Sequence, residues 1–72
     1  MQQEERSSEA VEVDVEVVKQ HGSAVLVTDG TSKAWVPYSQ ILAGSEVTQK
    51  SEPGFSGSIK LEEWKALALG LI

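Results

Sequence analysis

Between positions 11 and 17 the chain reads Val-Glu-Val-Asp-Val-Glu-Val. Only an extended strand turns this alternation into two chemically different faces, because successive side chains on a strand point to opposite sides. A helix would scatter the same residues around its whole girth. The β-branched valines add their own preference for extended backbone. The valine face must be buried, and Glu12, Asp14 and Glu16 must then face water. Val18 follows Val17 and breaks the alternation. The end of the strand is therefore either covered on both sides or carries a bulge.

The next segments extend this into a meander. His21-Gly22-Ser23 reads as a turn, with Gly22 free to take a positive φ. Ala-Val-Leu-Val-Thr at 24–28 is an apolar run of strand length, expected at the centre of a sheet. Asp29-Gly30 is a strong hairpin signal, and residues 31–36 return as a third strand that Pro37 ends. Ser39 is placed to cap a short helical turn that Gly44 closes. Residues 46–50 form a weak fourth strand with Val47 as its one apolar side chain. The stretch 51–57, rich in Gly, Ser and Pro, is a loop that carries Phe55. Residues 58–61 alternate as a last short strand, and Glu62 and Glu63 open a helix with Trp64, Leu67, Ala68 and Leu71 as its apolar stripe, ending at Gly70. An alternative reading makes one helix from Ile59 onward.

The fold these elements imply is mainly β (α+β): a small antiparallel half-open barrel of about five strands with one C-terminal helix across an end. It would bury Val11, Val13, Val15, Val17, Val25, Val27, Trp35, Ile41, Ile59 and Trp64 together. Residues 1–10, mostly Gln, Glu and Ser, are expected to be a disordered acidic arm, and 11–72 a single domain.

Charge and composition exclude several functions. The 72 residues carry 11 acidic and 6 basic side chains, a net charge of −5. That balance disfavours binding nucleic acid by general electrostatics and adsorption to anionic membranes, and it favours a basic partner. The sequence has no cysteine, which fits a reducing cytosol, and its single His21 cannot build a metal site alone. The polar start offers no apolar signal segment, and the longest apolar stretch, 66–72, falls far short of the roughly 20 residues of a membrane-spanning helix. The expected location is cytoplasmic.

Catalytic patterns are missing as well. Gly54-Phe55-Ser56-Gly57-Ser58 ends in serine where a nucleophile elbow needs glycine, and His21 sits in a turn with no orienting partner in sequence. Gly54 and Gly57 are not followed by the Lys-Ser/Thr of a phosphate loop. No enzymatic activity and no cofactor are expected. The candidate residues are instead contact residues. Glu12, Asp14 and Glu16 form a row of negative charge spaced roughly 6.5–7 Å apart, either a merely solvated face or a surface that imitates a phosphate backbone. Tyr38 and Phe55, in predicted loops, are the aromatic candidates for a partner surface, with Trp35 and Trp64 assigned to the core.

The segment Lys33-Ala34-Trp35-Val36-Pro37-Tyr38-Ser39-Gln40-Ile41 and the ending Gly57-Ser58-Ile59-Lys60-Leu61-Glu62-Glu63-Trp64-Lys65-Ala66, with Gly70-Leu71-Ile72, resemble a group of small, largely uncharacterised phage- and prophage-encoded proteins. These share a Trp-Val/Ile-Pro-x-Ser-Gln-Ile motif and a C-terminal Glu-Trp helix, and the likeness spans residues 13–72. The resemblance implies phage origin and a non-enzymatic accessory role, and the expected cytoplasm is then that of a host cell. Tyr38 departs from the group, where a basic residue is common, and Glu62 departs where proline often starts the helix. Three functions follow as expectations: a protein-binding accessory module acting on a basic partner such as a host factor; a single-stranded nucleic-acid-binding module of a phage replication or recombination system, on an oligonucleotide-binding-like barrel; and a homo-oligomeric structural phage protein in which residues 11–20 pair as an edge strand across a two-fold axis.

Overall fold

The computed structural model describes residues 9–72. Four antiparallel strands, β1 (Ala10–His21), β2 (Ala24–Thr28), β3 (Lys33–Pro37) and β4 (Ser56–Glu62), form one open sheet in the order β3-β2-β1-β4. A short 3₁₀ turn, η1 (Tyr38–Gln40), follows β3, and a C-terminal helix, α1 (Glu63–Leu69), follows β4. The chain is thus mainly β with one C-terminal helix, and β1, β2 and β3 form the meander that their sequence periodicity predicts. Among the described residues the sheet has four strands rather than about five and does not close into a barrel.

The strand alternation decides which side chains enter the core. Val15 and Val17 are buried, and Val11 and Val13 are half-buried against them, while Glu12, Asp14 and Glu16 are exposed. The doubled Val17-Val18 is resolved by a bulge: Val17 pairs with Val27 but Lys19 pairs with Leu26, so Val18 is the extra residue. The bulge reverses the parity of the strand. Lys19 and His21 now point outward, and Gln20 points toward the core side, where its Nε2 donates to the Gln49 carbonyl at 3.1 Å and to the Ser51 carbonyl. The turn into β2 is two residues long with Gly22 at φ 61°, the signature of a type II′ hairpin.

Residues 1–8, most of the expected N-terminal arm, lie outside the described residues. Ala10 already opens β1, and the Glu9 carbonyl accepts the Glu63 N–H at 2.9 Å.

Several sequence expectations are corrected. Residues 46–50 are not a strand. Residues 42–47 instead run irregularly beside β4 and satisfy its outer edge at Ser58 and Lys60. Glu46 and Val47 N–H donate to the Ser58 carbonyl (2.9 and 3.1 Å) and Leu42 N–H to the Lys60 carbonyl (2.9 Å). In return Ser58 N–H donates to Glu46 Oε1 and Lys60 N–H to Ser45 Oγ, both at 2.8 Å. Val47 is driven fully into the core. Ser39 is not a cap: it lies inside η1, which starts after Pro37 without a side-chain cap. β1 is an interior strand, so residues 11–20 do not present a continuous edge for pairing across a two-fold axis.

Both tryptophans leave the expected core. In β3 the alternation buries Ala34 and Val36, which puts Trp35, 43% exposed, on the same face as Lys33. In α1 the buried residue is Ala66, a side chain small enough to let the helix lie close. Gly70 at φ 78° then turns the chain, with Gly70 N–H donating to the Leu67 carbonyl and Leu71 N–H to the Ala66 carbonyl, which tucks Leu71 into the core. The stripe Trp64, Leu67, Ala68 faces outward, with Trp64 48% exposed. Trp64 Nε1–H donates to Glu62 Oε1 at 2.8 Å, and Lys65 Nζ lies 5.6 Å from the indole centroid.

Candidate functional site

The outward face of the sheet carries the candidate site. Residues paired across a ladder share a face, so the pairing fixes its layout. Glu12 faces Lys60, Asp14 faces Ser58, and Glu16 lies between Ser56 on β4 and Thr28 on β2. Among the described residues, the only hydrogen bond to these three carboxylates comes from Ser58 Oγ to Glu12 Oε2, at 3.2 Å. Lys60 does not neutralise Glu12: its ammonium is carried toward the edge segment, where a Cβ on Gly44 would stand 3.0 Å from Nζ. The row therefore keeps its negative field.

The row ends in a crevice. β1 pairs with β2 only from Glu16 onward, and β2 stops at Thr28, so the two strands part there. The gap is an open crevice of about 460 Å³ lined by Asp14, Glu16, Thr28, Asp29 and Ser56 among others. Asp29 brings a further carboxylate. Its Oδ1 accepts the N–H groups of Ser32 (2.7 Å) and Thr31 (2.8 Å), and these bonds, Ser32 first, hold its pKa below the ordinary aspartate range.

The remaining expected contact residues lie elsewhere. Tyr38 is half-buried against the core and lines a small pocket of about 240 Å³ with Ile41, Leu42 and Val47. Phe55 is 39% exposed but folds over Gly57, where an added Cβ would meet its Cε2 at 2.8 Å. Gly57 pairs with Val15, so Phe55 sits on the valine side of the sheet, opposite the carboxylates. The structure brings Glu12, Asp14 and Glu16 together and leaves Tyr38 and Phe55 apart from them and from each other.

The reading from sequence missed Trp35 as a surface residue. It lies beside Leu26 across the β2–β3 ladder, and Lys19 faces Leu26 from β1. The outward face thus has two parts: carboxylates over the first half of β1 beside β4, and an indole with Lys33 over β3, with Lys19 at the far end of β1. Strict alternation in Lys33-Ala34-Trp35-Val36 was the available signal, since it pairs Trp35 with lysine rather than with valine.

Among the described residues, no group of three or more His, Cys, Asp or Glu side chains is arranged to hold a metal ion, and no helix is long and apolar enough to cross a membrane. No protein-family model, curated protein or solved structure matches this chain.

Proposed function

We propose that this chain is a non-catalytic binding module whose carboxylate row takes a basic segment of a partner protein. The observation that carries this reading is the row itself: Glu12, Asp14 and Glu16 stand exposed on one strand, with no cation paired to them among the described residues. A row carried on a strand that β4 already pairs loses little backbone freedom on binding, and a cationic partner gains from every charge it meets. The net charge of −5 steers such a partner and repels polyanions. An accessory role in a host cytosol is what the motif resemblance to small phage proteins would imply.

Titration of a lysine-rich peptide against the wild-type chain and against the variant Glu12→Gln/Asp14→Asn/Glu16→Gln tests it. Binding that weakens with salt and falls at least tenfold in the variant is expected, since three charge contacts are lost. Equal affinity for both proteins would remove the row from the function.

A second reading draws on Trp35. An exposed indole with Lys33 on its own strand face and Lys19 beyond Leu26 on β1 is the minimal stacking platform for a single-stranded nucleic acid. It predicts that single-stranded DNA at low salt quenches Trp35 fluorescence and that Trp35→Ala abolishes binding. A flat titration would leave Trp35 as a side chain of the protein-binding face.

A further inference from the structure

The edges of the sheet are guarded unequally. At Ser58 and Lys60 the outer edge of β4 is capped by residues 42–47. The outer edge of β3 is only five residues long and ends in Lys33 and Pro37, residues that discourage added strands. A third edge lies inside the strand order. β1 pairs with β4 from Ala10 to Glu16 but with β2 only from Glu16 to His21, so among the described residues nothing pairs with positions 10–15 on the β2 side.

The ladder tells which atoms are free there. Val17 uses both its N–H and its C=O on the β4 side, bonding the Phe55 carbonyl and the Gly54 N–H, each at 2.8 Å. Alternate residues along a strand direct their backbone groups to alternate sides. Val11, Val13 and Val15 therefore serve β4, while the N–H and C=O of Glu12 and Asp14 point into the open side. Among the described residues nothing bonds these four groups.

We propose that the open edge of β1 accepts an extended segment of a partner protein as an added strand, and that this segment alternates apolar with basic residues. The proposal rests on the reading of the carboxylate row above and adds the backbone that would bind beside it. Charge selects the occupant. On the outward face the new strand would lie against Glu12 and Asp14, so its residues there are lysine or arginine. On the other face it would lie against the half-buried Val11 and Val13, which still have apolar surface to cover. A second copy of the chain is the wrong occupant, because antiparallel self-pairing sets carboxylates against carboxylates across the new ladder. Main-chain bonds give the affinity and the alternating side chains give the selectivity.

The test uses ¹⁵N-labelled protein and a capped eight-residue peptide of alternating lysine and valine, with amide exchange followed residue by residue. The Glu12 and Asp14 N–H groups are expected to exchange at least tenfold more slowly in the complex, while those of Val11 and Val13, already bonded to β4, change little. Binding without that protection overturns strand addition and leaves the electrostatic reading intact. Failure to bind either this peptide or one of the same composition with its lysines in a block overturns both. Two variants sharpen the comparison. Asp14→Asn keeps the N–H and loses only charge, whereas Asp14→Pro removes an N–H that serves no bond to β4. Asp14→Pro is expected to bind about tenfold more weakly than Asp14→Asn, and equal affinities overturn the proposal. Should Asp14→Pro not fold, the amide protection decides alone.

Discussion

Asp29 holds the β2–β3 turn through a single oxygen that accepts two backbone N–H groups. Because those bonds favour the ionised form, the folded chain binds a proton at Asp29 less readily than the unfolded chain does. The contribution to stability is complete above the unfolded value and is lost as pH falls through the lowered folded value. A carboxyl ¹³C titration should therefore place the Asp29 midpoint below the ordinary value of about 3.9. A midpoint at or above it would mean that the turn is not formed in solution. The tryptophans give a second prediction at this scale. Trp35→Ala and Trp64→Ala should each change the unfolding free energy by less than about 1 kcal/mol, since exposed side chains remove little packing. Ile59→Ala, in the centre of the core, should cost about 2–5 kcal/mol. Urea unfolding of the three variants checks the order, and a large loss at either tryptophan contradicts their outward placement. These two residues also mark what the sequence hides. Size argues for burying an indole, but alternation in β3 and the close seat of Ala66 in α1 override size. The outward direction of Glu12, Asp14 and Glu16, by contrast, was legible, because the valines between them leave a strand no other way to turn.

The elements divide in the same manner. β1, β2, β3 and the two turns between them follow from local pattern: β-branched alternation, Gly22 and Asp29-Gly30. Residues 42–47 have no such pattern, because they are held by side chains bonding to the backbone of a strand distant in sequence. Ser45 Oγ and Glu46 Oε1 take the two N–H groups that a fifth strand would otherwise take with carbonyls. A run of Gly-Ser-Glu does not announce that role, and Val47 alone suggests a strand. The consequence is testable. Ser45→Ala leaves the Lys60 N–H without its partner and should destabilise the chain by about 1 kcal/mol, with exchange at the Lys60 amide accelerating more than at Ile59. Unchanged exchange at Lys60 would show that the edge is not capped in this way. Deleting Val18 tests the bulge. Without the extra residue either Lys19 is driven toward the core or the pairing with β2 is lost. Urea unfolding should show a loss above about 3 kcal/mol, since burying an unpaired ammonium belongs to the most damaging class of change.

For the molecule as a whole, the charge that draws a basic partner also keeps copies of the chain apart. An unpaired strand edge beside half-buried valines is a standing invitation to self-association. At residues 10–15 the defence is electrostatic, because the edge there is not short, no strand covers it among the described residues, and Glu12 and Asp14 stand over it. Neutralising them should therefore do more than weaken a basic ligand. The variant Glu12→Gln/Asp14→Asn keeps every backbone donor and acceptor and removes the repulsion, so it should form dimers with rising concentration in sedimentation equilibrium. Its residue 12 and 14 amides should become protected as the dimer fills. High salt should move the wild-type chain in the same direction but less far, since screening weakens repulsion without abolishing it. If the neutral variant stays monomeric at every concentration, something other than charge closes that edge, and an incoming strand of any composition would meet the same obstacle.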